Sequence, residues 1–463
     1  MYRFFFYKRY FLINICAMLL RFVVSNFLSF AEEVEFNMFP GNFKIHKDHI
    51  YHTPEVDLLK TAAIYGANGS GKSNFVKAVN FLRDIVTEGT INLTDYNRSI
   101  FKLDETFKNK PTTLEVEFKR ENRYFSYGVS ILNETIEKEW LHRSFPSKSK
   151  NEMIFERETT GEKTTVKVNE NLLTSDKERL RYEIYAEETS PTTSFISKIK
   201  DKVNEAGATH DWFSSFVWLI FPHTKHRATL QLSKEPDYKK YVNTILPKLG
   251  TGLTKIETRR FPFEEIRKQM DEESWKAIEK FDEILGADDD AVEIAPDSIV
   301  HKEDGKIYLE KMVLLNKGKN EDLIEFNFDE QSDGTQRIID LIPALRVLED
   351  EEAIFVVDEI ERSLHPSLIK EFLDLFLSKP SKGQLIFTTH ESYLLDLDLF
   401  RQDEIWFTEK SKEGATSMYS LSEFKPRYDL DIRKGYLAGR FGAIPFLGNL
   451  KELNWHHAEE QGI

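Results

Sequence analysis

Gly66-Ala-Asn-Gly-Ser-Gly-Lys-Ser73 fits the pattern GxxxxGK[ST] without a mismatch. That spacing serves the cradling of a polyphosphate. Gly66, Gly69 and Gly71 let backbone N–H groups turn inward, and Asn68 and Ser70 complete the loop. Lys72 is placed to reach the β- and γ-phosphates, and the Ser73 hydroxyl to ligate Mg²⁺. A helix beginning near Lys72 would present its positive end to the same anion. Ile354-Phe-Val-Val-Asp-Glu359 is four apolar residues followed by two carboxylates. A buried strand ending there sets Asp358 beside the Mg²⁺ and lets Glu359 polarise an attacking water. The two segments together predict ATP and Mg²⁺ as cofactors and ATP hydrolysis as the reaction.

The elements needed to hold these residues are legible around them. Leu58–Tyr65 is a mostly apolar run that stops at Gly66, and Phe75, Val76, Val79, Leu82, Ile85 and Val86 then recur at helical spacing. Strand, loop and helix therefore follow in the order a phosphate loop requires. Leu20–Phe30 and Val34–Met38 read as strands, and within residues 112–168 the short, often alternating runs Leu114–Phe118, Tyr124–Ile131, Met153–Arg157 and Thr164–Val168 read as an antiparallel meander. From Glu187 to Glu293 the chain reads as short helices broken by Pro191, Pro222, Pro236, Pro247 and Pro262. Strand patterns return at Lys306–Leu315 and Leu323–Phe328. A helix from Arg337 to Leu348, the apolar strand before Asp358, a helix over Ser367–Leu377 and strands at Gln384–Thr388 and Glu404–Thr408 complete an α/β pattern.

Three further segments resemble a family. Ser332-Asp-Gly-Thr-Gln336 resembles the signature loop of ABC-type ATPases, Ser363-Leu-His-Pro366 the loop after the catalytic glutamate, and His390 the switch histidine. Their order and spacing are similar to ABC-type heads of the SMC, RecF and OLD kind. The resemblance implies an α/β P-loop NTPase, an ABC-type head with an antiparallel β subdomain and an inserted, mostly helical lobe. It also implies a head-to-head dimer, in which Ser332 and Gly334 of one subunit contact the γ-phosphate held by Lys72 of the other. Glu359 and His390 are then the catalytic pair. No glutamine stands where the family's Mg²⁺-contacting loop belongs, near Phe101–Asp104. The expected organisation is an N-terminal extension over 1–17, a first ATPase lobe over 18–110, the β subdomain over 111–186, a helical insertion over 187–300 and a second ATPase lobe over 301–463.

The opening Leu20–Phe30 and the tail Gly439–Pro445 resemble stand-alone ATPases of bacterial abortive-infection and phage-defence systems, of the AbiL and PARIS types. That resemblance implies an ATP-hydrolysing sensor subunit controlling a separate toxic effector, a TOPRIM-type nuclease, with a phage-encoded trigger as a further partner. The alternative is a DNA-binding repair or chromosome-maintenance ATPase of the RecF or SMC type. Among 463 residues, 78 acidic side chains outnumber 63 basic ones, a net charge of −15, so nucleic acid is the less favoured partner.

The single Cys16 excludes an internal disulfide and a Cys-based zinc site and fits a reducing, cytoplasmic setting. The apolar stretch Tyr10–Leu20 is too short to span a bilayer. Met18 is read as the functional start, in preference to residues 1–17 being an ordered arm or a targeting segment. Too little chain follows His390 for a TOPRIM domain, and Asp396-Leu-Asp398 reads as an acidic turn. His223–Arg227 and Arg259-Arg260 are the best basic clusters and read as a solvated face. Trp212, Phe213, Phe216 and Trp218 read as core. The helical insertion, having no part in the nucleotide chemistry, is expected to recognise the effector or trigger.

Overall fold

A computed structural model describes residues 17–161, 163–169, 171, 175–224, 229–262, 265, 291–295, 297–350, 352–379, 381–427 and 430–444. The expected extension, apart from Ala17, lies outside them, as do Lys225 and Arg227 of the first basic cluster.

The central sheet has six strands in the order Val217–Ile220, Ile354–Val357, Gln384–Thr388, Thr61–Tyr65, Ile405–Lys410 and Thr416–Ser420. The first five are mutually parallel and the last is antiparallel. Thr61–Tyr65, Ile354–Val357 and Gln384–Thr388 are buried at every position. Such strands are covered on both faces, which is why they read as near-continuous apolar runs. One face packs Ala62, Ile64, Val356 and Ile386 on Phe75, Val76 and Val79 of the helix Lys72–Glu88 and on Leu19 and Phe22 of an antiparallel sheet. The other packs Tyr65, Phe355, Val357 and Phe387 on Leu341 and Leu345 of the helix Asp333–Asp350 and on Ile369, Phe372 and Phe376 of the helix Pro366–Leu377.

The antiparallel sheet has seven strands, Lys163–Val168, Lys150–Thr160, Thr135–Phe145, Arg123–Leu132, Thr112–Arg120, Ala17–Ser25 and Val34–Asn37 in spatial order. The opening strand thus belongs to the same sheet as the meander. It stops at Ser25 because Asn26 and Leu28 take left-handed φ values of 48° and 52°. Buried Gln384 clamps this sheet to the central one: its amide accepts from Leu19 N at 2.7 Å and donates to Leu19 O and Leu59 O.

A third sheet is centred on Lys306–Lys317. It pairs on one side with Leu253–Pro262 and on the other with Ser298–Glu303 and then Leu323–Phe326, while Ala291–Ala295 lies beyond Ser298–Glu303. Residues 187–300 contain the helices Phe195–Ile199, Asn204–Asp211 and Pro236–Ile245. They also send Val217–Ile220 into the central sheet and Leu253–Pro262 into the third, neither of which the sequence pattern suggested. The aromatic cluster is core as expected: Trp212 stacks on Phe118 at 4.5 Å between centroids and Trp218 on Phe355 at 5.7 Å. No helix among the described residues is long and apolar enough to cross a membrane.

Candidate nucleotide site

Parallel strands place their C-terminal ends on one edge, and the loops leaving those ends meet there. Tyr65 runs into Gly66, Val357 into Asp358, and Thr388 into Thr389 and His390. Because Gln384–Thr388 lies between the other two strands, its end separates the phosphate loop from the acidic turn and can touch both.

The phosphate loop is held from behind. Ser70 Oγ lies 2.6 Å from Thr408 Oγ1, and Thr416 Oγ1 donates to Ser70 O at 2.7 Å. At Gly71, where φ is 115°, a Cβ would fall 2.7 Å from Thr416 Cγ2 and 2.9 Å from Ser29 Oγ, so only glycine fits. The tip at Asn68 and Gly69 is exposed, while Gly66, Ser70, Gly71 and Lys72 are buried. Lys72 Nζ donates to Gly66 O at 2.7 Å and Ala67 O at 3.1 Å. Burial pushes its pKa down, against the pull of Glu361, Asp358 and Glu359.

Asp358 is buried, and its Oδ1 accepts from Ser73 Oγ at 3.0 Å and Thr388 Oγ1 at 2.6 Å. Thr388 Oγ1 in turn accepts from Glu359 N at 2.8 Å. Glu359 takes a left-handed φ of 50°, a strained conformation for a residue with a side chain. The phosphate loop, Asp358, Glu359 and His390 therefore gather at one edge.

Ser332 and Gly334 start the helix Asp333–Asp350. Ser332 Oγ accepts from Thr335 N at 3.2 Å as its cap. Among the described residues no hydrogen bond joins this turn to the phosphate loop of the same chain. Its close neighbour is instead the loop after Glu359, since a Cβ on Gly334 would lie 2.5 Å from Ser363 O. His365 caps the helix Pro366–Leu377, its Nδ1 accepting from Ser367 N at 3.3 Å, with Pro366 in the first turn.

Three site residues were not singled out from sequence. Thr388 is the hub between Asp358 and Glu359. Arg337, buried in the signature helix, donates to Phe221 O at 3.3 Å and Asp358 O at 3.4 Å. Glu361, also buried, accepts from His390 N at 2.8 Å and lies 2.7 Å from its ring Nδ1, so the partner of His390 is Glu361 and not Glu359. The third acid of Asp358-Glu-Ile-Glu361 and the hydroxyls before His390 were the signals available.

The weaker sequence features fall away from this edge. Asp396 Oδ1 accepts from Asp398 N at 2.9 Å and its other oxygen meets Lys370, an acidic turn. Arg259 pairs with Glu325, and Arg260 pairs with Glu303 at 2.5 Å and lies over the Tyr308 ring. Phe101 is buried against Phe107, and Asp104 caps a short turn. His46, Asp48 and His49 bring donor atoms within 4.8 Å of one another. His49 there pairs with buried Glu404 and His46 with Leu397 O, an arrangement that ties two strand entries together.

No curated protein gives a significant match. Solved structures that resemble the chain include SMC heads. One is the SmcHead bound to the C-winged helix domain of ScpA, at 13% identity and TM-score 0.40, covering 88% of this chain and all of that one. A second is the SMC head domain from Thermotoga maritima, at 12% identity and TM-score 0.35, covering 87% and 98%. A third is the Pyrococcus furiosus Smc head with an extended coiled coil bound to the C-terminal domain of ScpA, at 14% and 0.35, covering 88% and 97%. A family model matches residues 62–396, well over half of the chain and every segment of the candidate site described above. The chain belongs to the P-loop ATPase family described as "AAA domain, putative AbiEii toxin, Type IV TA system".

Proposed function

We propose that this ATPase-family chain is the ATP-hydrolysing regulatory subunit of an anti-phage, abortive-infection system that controls a separate toxic effector, a TOPRIM-type nuclease. The observation that carries the nucleotide chemistry is the 3.0 Å hydrogen bond from Ser73 to Asp358. It brings a hydroxyl and a buried carboxylate, two hard oxygen donors, to one point beside the phosphate loop, the donor set that suits Mg²⁺. When bound there, Mg²⁺ would neutralise charge on the β- and γ-phosphates. Lys72 and the loop N–H groups would hold the phosphates, Glu359 would orient the water and His390 would meet the γ-phosphate.

The signature turn has no hydrogen bond to its own phosphate loop, which supports a composite site in a head-to-head dimer, with Ser332 and Gly334 reaching the nucleotide of the partner subunit. Membership of a family described as a putative AbiEii toxin of a type IV toxin–antitoxin system supports a toxin–antitoxin setting. The third sheet and its helices take no part in the nucleotide edge and are the proposed seat of the effector or a phage-encoded trigger.

Glu359→Gln tests the chemistry. The variant is expected to bind ATP, hydrolyse it at least about a hundredfold more slowly and accumulate as an ATP-bound dimer, read by phosphate release and light scattering. Normal hydrolysis by that variant would remove Glu359 from its role. Tight, salt-sensitive binding of duplex DNA by the isolated protein would favour the repair-ATPase alternative.

A further inference from the structure

Glu361 is a buried carboxylate that the reaction as drawn above does not use. It sits in the turn after the acidic strand, where the chain continues to bond along the end of its neighbour. Glu359 N donates to Thr388 Oγ1, Ile360 N to Thr388 O, and then His390 N to Glu361 Oε1 at 2.8 Å. The same Oε1 lies 2.7 Å from His390 Nδ1. One oxygen therefore accepts from the backbone of His390 and lies against its ring, two residues beyond the end of the strand Gln384–Thr388. The other oxygen, Oε2, is buried with no hydrogen-bond partner. A half-satisfied buried carboxylate is costly, so its presence calls for a purpose beyond stability. The His390 side chain is 57% exposed while that of Glu361 is 7% exposed, so the pair points outward from a buried anchor.

We infer that Glu361 is a positioning residue that sets the tautomer and aim of His390. An ionised carboxylate can only accept, so the proton of the neutral ring must sit on Nδ1. Nε2 is then the nitrogen left for the nucleotide edge, and the ring cannot turn over without giving up the 2.7 Å approach of Nδ1 to the carboxylate. Glu361 also exerts the largest carboxylate pull on Lys72, ahead of Asp358 and Glu359. A competing role, acting directly on Lys72, is thereby defined, and the experiment must separate the two. This inference deepens the proposed ATPase chemistry and rests on it only for the kinetic half of its test.

The test uses the full-length protein and Glu361→Gln. Because the wild-type carboxylate leaves an oxygen unpaired, the variant is expected to fold with an undiminished Tm, and Glu361→Asp serves as the conservative check. The first readout is long-range ¹⁵N–¹H NMR of His390, assigned by its loss in His390→Ala. Wild type is expected to show the Nδ1–H form. Glu361→Met, which removes the acceptor that Gln would keep, is expected to show a mixture with Nε2–H, and Glu361→Asp to restore the single form. This readout needs no turnover, so it decides the pairing even if the ATPase reading fails. The second is a double-mutant cycle in kcat. Glu361→Gln alone is expected to lower kcat about ten- to a hundredfold with KM little changed, as loss of an imidazole's outer partner does. In a His390→Ala background it should cost nothing further. An unchanged tautomer in Glu361→Met, or an equal kinetic loss from Glu361→Gln with and without His390, overturns the inference; the latter assigns Glu361 to Lys72 instead.

Discussion

Gly334→Ala isolates the contact between the signature turn and the loop after Glu359. The added Cβ would lie 2.5 Å from Ser363 O and 3.8 Å from Leu364 Cδ2. The first atom is backbone and cannot rotate away. Ordinary contact begins at 3.4 Å, so the turn or the loop must retreat by about 0.9 Å. Ser363 is itself in a left-handed conformation at φ 61°, and Leu364 N is bonded to Glu361 O at 2.8 Å, so the loop has little freedom to yield. Overpacking of this kind costs about 1–3 kcal/mol, or several degrees of Tm at roughly 2–4 °C per kcal/mol. The kinetic cost is larger, because a displacement near 1 Å in a positioned group can lower a rate about a hundredfold. Nucleotide binding by the single chain should be spared, since no hydrogen bond links the turn to the phosphate loop. The assay is therefore a fluorescent-ATP titration, a melting curve and a phosphate-release rate on the same preparation. Affinity within a few-fold, a lower Tm and a rate reduced by about two orders are expected. A Gly334→Ala protein with wild-type Tm and wild-type rate would refute the claim that this close approach seats the signature turn.

Thr388→Val keeps the shape of the hub but removes its hydroxyl, leaving Glu359 N without its acceptor and Asp358 without one of its two donors. It is expected to cost about 1–3 kcal/mol and to slow hydrolysis while sparing the affinity for nucleotide, measured by melting and by phosphate release against fluorescent-ATP binding. Arg337→Met replaces a buried cation, whose pKa burial pushes down, by an apolar chain of similar length. Stability is expected to fall, because buried Asp340 loses the neighbouring cation and Phe221 O and Asp358 O lose a donor, and the ATPase rate to fall with the tie from this helix to Asp358 O; an unchanged rate would show that the tie carries nothing.

The nucleotide edge was legible because its residues are constrained one by one. A polyphosphate cradle dictates glycines, a lysine and a serine at fixed spacing, and a strand buried on both faces reads as an unbroken apolar run before Asp358. Elements whose buried faces hold polar groups were not legible. Thr135–Phe145 buries Glu139, which accepts from Tyr127, Phe195 N and Ile196 N and pairs with Arg157 at 3.3 Å. That carboxylate broke the alternation that would have marked a strand. Leu253–Pro262 is mostly polar and buries only Leu253 and Ile256, so it read as helix. Val217–Ile220 is short and follows an aromatic turn; nothing local shows that four residues cross into a parallel sheet. Glu361 and Thr388 escaped notice for a related reason. Their roles arise from two chain segments lying side by side, and sequence spacing does not report that neighbourhood.

The same packing explains how a lobe remote from the nucleotide can bear on its hydrolysis. The helix Asp333–Asp350 is shared by two cores. Leu341, Leu345 and Leu348 pack under the central sheet, while Ile338, Ile339 and Ile342 pack against Tyr238, Val242, Leu246, Met312 and Leu314 of the third sheet and its helices. Interiors packed at crystal-like density transmit displacement and do not absorb it. A partner that shifts the third sheet must therefore shift this helix. The helix cannot shift without moving Ser332 and Gly334 at its start and straining the bond from Arg337 to Asp358 O. Linkage makes the influence reciprocal: a nucleotide state that reseats the signature turn must present a different third lobe to its partner, by the same free energy. The segment that looked like an insertion in the sequence is thus joined to the chemistry through one helix, whose first turn faces the loop after Glu359.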